Sequence, residues 1–130
     1  MDDPFAKKLK KQQAFLRGIY AEYYCCLLLR LKGYRILAHR YRTPVGEIDL
    51  IAFKHKTLIA IEVKSRASFA TALESILPRQ CQRITRALQW YLVKNPKHAG
   101  YSFRFDIMLV STWRVRHLQN AWLDDALNNQ

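Results

Sequence analysis

Three charged residues interrupt an otherwise apolar stretch of the chain. They are Asp49, Glu62 and Lys64, within GEIDLIAFKHKTLIAIEVKSR, residues 46–66. Paired carboxylates can hold a hard cation, and an amine beside them can orient or deprotonate a water or offset charge on a phosphate. The stretch reads as two β-strands, 46–53 and 57–64, joined as a hairpin. Side chains alternate across a strand, so Glu62 and Lys64 share one face and Ile61 and Val63 the other. On the first strand Glu47, Asp49, Ile51 and Phe53 share a face, opposite Ile48, Leu50 and Ala52. A two-residue turn at His55 and Lys56 pairs Lys54 with Thr57 and sets Asp49 opposite Glu62.

A hairpin with one solvated polar face would also satisfy this parity. Energy argues against it. Two carboxylates 4 Å apart repel by about 4 kcal/mol at an effective dielectric of 20, a large share of the roughly 5–15 kcal/mol that holds a domain together. Ile51, Phe53, Leu58 and Ala60 make the acid-bearing face apolar near the turn. A cation explains the cluster better, and Mg²⁺ suits it, taking one or two carboxylates with waters and a substrate phosphate. A further acid, Glu22, falls on an apolar helical stripe with Phe15, Ile19, Cys25, Cys26 and Leu29. There it needs a partner: an arginine in a buried ion pair, or the acidic cluster itself, reached through metal or water. Gly18, one turn earlier, removes a side chain beside it.

The elements that must position these groups follow from periodicity and punctuation. Residues 4–31 are dense in helix formers, and Gly33 is placed to stop the helix. Residues 34–42 alternate loosely, as an edge strand does, and TPVG makes a turn before the hairpin. Residues 65–72 read as a polar loop. A second helix starts near Pro78 and runs to about Lys94, where NPKHAG ends it. Residues 101–111 form another strand, and 113–118 a last one. This is an α/β domain, a mixed central β-sheet flanked by helices, with 1–130 as one unit and 1–10 as a basic arm.

The chain has 130 residues, with 22 Lys plus Arg against 10 acids, a net charge of +12 and a pI near 10.0. That balance points to a polyanionic partner, and nucleic acid suits a domain of this size better than a membrane face. The stretch MDDPFAKKLKKQQ has no apolar signal core behind its charges, and IYAEYYCCLLLRL is too short to span a bilayer, so a soluble, cytoplasmic protein with no membrane partner is expected. Cys25, Cys26 and Cys81 read as reduced thiols. The four histidines are scattered and read as surface or loop residues. Tyr23, Tyr24, Trp90, Trp113 and Trp122 read as core or interface residues.

An acid on one strand followed by Glu-x-Lys on the next resembles the PD-(D/E)xK nuclease superfamily. GEIDLIA at 46–52, IEVKSR at 61–66, a G-x-x-x-E on the first helix and RFD at 104–106 resemble one branch in particular. This is the YraN-like family of bacterial endonuclease-like proteins, related to archaeal Holliday-junction resolvases. The resemblance runs from about Arg17 to Trp122. It implies a restriction-endonuclease-like core, a Mg²⁺ or Mn²⁺ cofactor and hydrolysis of DNA phosphodiesters, in repair or recombination. It implies metal ligands at Asp49, Glu62 and the Val63 backbone carbonyl, with Glu22 joining through water. Glu22, Asp49, Glu62 and Lys64 then form the catalytic set. Ala21, Ala70 and Gln80 depart from the family pattern, and a glutamine after E-x-K recurs in the superfamily as an auxiliary residue.

Arg79, Arg83 and Arg86 recur along one stripe of the second helix, with Ile84, Leu88, Tyr91 and Leu92 on the opposite stripe. Arg40, Arg42, Arg66 and Arg104 lie near strand ends that could rim the acids. Together with Gln80, the arginines of this set other than Arg104 are the expected nucleic-acid contacts, and scattered solubilising charge is the alternative for any one of them. The function expected is a metal-dependent endonuclease on DNA, with branched DNA or Holliday junctions as candidate substrates. A silent nucleic-acid-binding protein on a nuclease scaffold, or an RNA-directed nuclease, are the alternatives. A homodimer would match the two-fold symmetry of a junction.

Overall fold

The computed structural model describes residues 3–122; the remainder of the expected 1–130 unit lies outside the described residues. Helix α1 (Pro4–Leu31) is capped by Asp3, whose carboxylate accepts the Phe5 amide at 3.0 Å, with Pro4 in the first turn. It ends where Gly33 takes a left-handed backbone, φ 90°. The lysines at 7, 8, 10 and 11 lie on the solvated part of this helix. Strands β1 (Arg35–Thr43), β2 (Gly46–Lys54) and β3 (Thr57–Ser65) follow as an antiparallel meander. The β2–β3 turn is His55–Lys56, both at positive φ, and Lys54 pairs with Thr57 as the two-residue turn requires. Helices α2 (Phe69–Glu74) and α3 (Pro78–Lys94) and a 3₁₀ turn at Pro96–His98 carry the chain to β4 (Ser102–Ser111), parallel to β3. Strand β5 (Arg114–Trp122) returns antiparallel. The sheet order is β1-β2-β3-β4-β5.

This is the expected mixed sheet flanked by helices, an arrangement consistent with a restriction-endonuclease-like fold. Two elements differ from expectation. The span 65–72 is not all loop, because Ser68 accepts the Thr71 amide at 3.1 Å and caps α2. The last strand runs four residues further than its apolar pattern suggested.

The sheet is covered on both faces, which is why β3 reads as an almost continuous apolar run. Ala21, Cys25, Cys26 and Leu29 of α1 pack on Leu50, Ile59, Ile61, Val63 and Met108. Ile84, Ala87, Leu88 and Tyr91 of α3 pack on Ile51, Leu58, Ala60 and Phe105 from the other side. Ala72 of α2 covers Ile107 and Leu109. No helix among the described residues is long and apolar enough to cross a membrane.

The RFD segment is structural. Asp106 is fully buried and accepts hydrogen bonds from Arg104, His117 and the Asn120 amide at 2.7–3.2 Å. Burial pushes its carboxyl up, but those hydrogen bonds and the guanidinium charge together hold it below the ordinary value. Arg104 also donates to the Tyr34 hydroxyl, so it does not rim the acids. The histidines are likewise more engaged than expected. His117 is bound to Asp106, His98 stacks on Tyr91, and His39 meets Glu22; His55 alone stands exposed in a turn. Trp122 stacks on Phe105 and donates to Thr85, while Tyr23 and Trp113 stay outside the core.

Gly46 marks a close approach that a turn signal alone does not reveal. A Cβ there would overlap the Arg83 backbone carbonyl, so β2 and α3 touch backbone to backbone. Gly18 is the reverse: a Cβ would meet nothing within 4 Å, so it does not make room for Glu22 as expected. Gly46→Ala should destabilise the protein by about 1–3 kcal/mol, the usual cost of overpacking. Gly18→Ala should instead stabilise it by roughly 0.5–1 kcal/mol through helix propensity. Urea denaturation of the two variants checks both signs.

Candidate active site

The β2–β3 ladder stops at Leu50↔Ile61, one pair short of Asp49 and Glu62. Beyond that point the Val63 amide donates to Asp49 Oδ2 at 2.8 Å. A side chain thus takes the place of a ladder partner, and the two strands part around the carboxylates. The disturbance extends to β1. Arg40, at the register position opposite Asp49, has φ 56°, costly for a residue with a side chain. Strict alternation fails at the same place. Ile48 packs under α3 with Ile51, although Leu50 and Ala52 share a face as expected, the one that α1 covers.

Glu62 is buried on the α3 side of β3. Gln80 Nε2 donates to its Oε1 at 2.8 Å, and Lys64 Nζ lies 3.3 Å from the same oxygen. Both acids line an open cleft of about 450 Å³, whose walls include Glu47, Arg79, Gln80 and Arg83. Burial pushes the Glu62 carboxyl up, the Asp49 charge adds to it and Lys64 opposes, leaving it at about 8. Burial also lifts Asp49; the Val63 amide and Lys64 oppose, Glu22 adds, and the result is about 6. Both carboxyls therefore sit where a proton or a cation is wanted.

Glu22 is buried on α1 and reaches β1. His39 Nε2 lies 2.9 Å from its Oε1 and Arg40 Nε 3.4 Å. Its partners are an arginine and a histidine rather than the acidic pair, although its charge still raises Asp49.

The expected site residues thus divide. Asp49, Glu62, Lys64, Arg79, Gln80 and Arg83 come together. Arg40 is turned to Glu22 and lies over the Phe15 ring, and Arg42 is exposed beside Glu47 at 3.8 Å. Arg66 donates to the Ser65 carbonyl, and Arg86 stands further along α3 beside Trp90 and Val45. Sequence reasoning missed His39. The signal was available, since a carboxylate on an apolar helix stripe demands a donor.

Among the described residues no three His, Cys, Asp or Glu side chains converge as a ligand set. The pair Asp49–Glu62 nonetheless fits a Mg²⁺-type ion. Such an ion asks for only one or two carboxylates, and a buried carboxylate beside a half-buried one is otherwise a liability.

A mixed-sheet α/β protein with an antiparallel pair split around a buried and a half-buried carboxylate and a lysine is the class that this fold and site define. The chain belongs to the Uncharacterised protein family UPF0102, the YraN-like family, whose sequence model matches residues 21–110. A UPF0102 protein of Rhodopseudomonas palustris (strain BisB5) is 48% identical over 110 residues, 84% of each chain. One from Bradyrhizobium diazoefficiens is 45% identical over 121 residues, 92% of this chain and 91% of its own. One from Parvibaculum lavamentivorans is 44% identical over 110 residues, 84% and 83% of the two chains. The matched span contains Glu22, Asp49, Glu62, Lys64 and Gln80.

The raised carboxyls set a pH dependence. Between the ordinary values, 3.8 and 4.5, and the folded values of about 6 and 8, the folded protein holds protons that the unfolded chain releases. Their stabilising contribution is complete below pH 4 and is lost as pH rises toward 8. In chelator, thermal midpoints should therefore fall over that window, and Glu62→Gln should flatten the fall. Asp106 works in the opposite sense, its contribution being lost only as pH drops below about 4.

Proposed function

We propose that this protein is a metal-dependent endonuclease acting on DNA phosphodiesters, with branched DNA as its preferred form. What carries the reading is the meeting of Asp49 and Glu62, with Lys64 on Glu62, in a cleft walled by Arg79 and Arg83. A purely structural role would not call for two adjacent carboxyls pushed toward protonation in a cleft open to solvent.

In this reading Asp49, Glu62 and the Val63 carbonyl would hold Mg²⁺ or Mn²⁺, which would supply positive charge toward the phosphate and lower the pKa of a water so that hydroxide is available as nucleophile. The chain's own groups do the rest. The Val63 amide fixes the Asp49 carboxylate, and Gln80 fixes Glu62. Lys64, beside Glu62, orients the water or offsets charge on the phosphate. Arg79 and Arg83 take neighbouring phosphates, which positions the backbone without reading its sequence. Glu22, secured by His39 and Arg40, adds negative charge near Asp49. A symmetric dimer would present two such clefts to a two-fold junction.

The test is to incubate the protein with branched and linear DNA, and with RNA of matching sequence, in Mg²⁺, Mn²⁺ or chelator. Cleavage of DNA should require the cation, and Asp49→Ala and Lys64→Ala should each slow it by about 10²-fold or more. Either variant cutting as fast as the native chain would remove that residue from the site. Tight, salt-sensitive binding without cleavage in any cation would instead assign a silent nuclease scaffold.

A further inference from the structure

A second concavity has no part in the chemistry above. Leu16, Arg17, Tyr20 and Tyr24 of α1 form one wall of it, Trp113 of the β4–β5 turn forms the other, and Ser65 also lines it. Its volume is about 440 Å³, on the scale of ~300–1,000 Å³ usual for small-ligand sites.

Its aromatic rings are displayed rather than packed. Trp113 is 79% exposed and Tyr20 71%. Large aromatics are the residues that gain most from burial, so two of them left in water on facing walls need a reason. Nor is Trp113 loosely placed. The Tyr24 hydroxyl donates to its backbone carbonyl at 2.9 Å, and the Tyr24 ring meets the indole edge-on. Thr112, at φ 57°, turns the chain just before it.

The charge around the groove has one sign. Among the described residues no acid lines it and Arg17 lies within it, with Arg66 next to Ser65 in the chain; Arg114 is turned away to the Phe69 ring. The groove lies on the α1 face at the C-terminal end of β3, where Ser65 lines it, across the sheet from Glu62 and Lys64. Exposed aromatic faces with Arg17 beside them, on a chain of net charge +12, match one ligand chemistry: a nucleobase with its phosphates. A second copy of the chain matches poorly, since it would bring Arg17 and the α1 lysines against their like.

We propose that this groove binds a single-stranded nucleic-acid segment, stacking an unpaired base on Trp113 and Tyr20 while Arg17 holds a flanking phosphate. The proposal rests on the nucleic-acid reading above and adds to it the recognition of unpaired nucleotides. Every base has a π face, so the groove is sequence-tolerant; bases stacked inside a continuous duplex cannot enter it.

Binding is measured in chelator, so that no strand is cut. The full chain is titrated with labelled oligothymidylate, oligouridylate and a duplex of equal length. Trp113→Ala and Tyr20→Ala should each weaken single-strand binding about ten- to hundredfold and leave duplex affinity unchanged. The two single strands report whether the sugar matters. Both side chains are exposed, so unchanged circular dichroism and thermal midpoint are expected and exclude misfolding as the cause. Trp113→Phe should restore most of the affinity. Single-strand binding undiminished in both alanine variants overturns the proposal. So does a concentration-dependent dimer that Trp113→Ala dissolves without loss of single-strand affinity, which gives the groove to a second copy. Trp113-dependent binding in a protein that cuts nothing leaves the groove standing and sinks the nuclease reading; cleavage with unaltered single-strand binding sinks the groove alone.

Discussion

The hydrogen bond from the Val63 amide to Asp49 is the contact on which the rest of the site depends. In an uninterrupted antiparallel pair that amide would face the backbone of β2. Here a carboxylate takes it, so the amide remains satisfied while the strands diverge. Divergence is what makes a cleft between two neighbours in a closed sheet. It also sets Asp49 against Glu62, and Lys64 and Gln80 then gather on Glu62 because a buried carboxyl needs partners. The apolar layers on both faces keep the parting local. Residues 50–54 and 57–61 stay zipped, and only the end beyond them opens.

Two buried acidic centres in this chain are resolved in opposite ways. Asp106 receives donors from Arg104, His117 and Asn120 and is a closed structural knot between β4 and β5. Asp49 and Glu62 receive fewer, and their carboxyls rise while that of Asp106 falls. Burial is common to both. The difference lies in the number of donors and in the charge of neighbouring acids, and it separates an acid that holds the fold together from a pair with unused capacity to bind.

Most of the architecture was legible in the sequence because it rests on local signals. Pro4 and Gly33 bound α1, Pro78 and Asn95 bound α3, and the register through Lys54↔Thr57 follows from a two-residue turn. The site was legible to the extent that it depends on strand parity, which placed Glu62 and Lys64 on one face. It also set Asp49 against Glu62, and it failed next door at Ile48, where alternation breaks. The left-handed Arg40 and the Val63 bond to the Asp49 carboxylate accompany that break, and neither has a periodicity to read. The partners of Glu22, Asp106 and Glu62 were hidden for a related reason. Contacts such as Glu22–His39 and Arg104–Tyr34 join residues distant in sequence, and only packing decides them. α2 escaped notice because six residues hold less than two turns of pattern.

The contact at Gly46 has a consequence for how the two halves of the site are aligned. Arg83 belongs to the helix that bears the cleft's arginines, and Gly46 begins the strand that bears Asp49. Their meeting is main chain against main chain, with no rotatable side chain between. The spacing from the α3 backbone to the strand that bears Asp49 is therefore built like a machined joint rather than a sprung one, and the arginine side chains swing from a fixed base. Such preorganisation removes the need to order the two walls each time a ligand arrives.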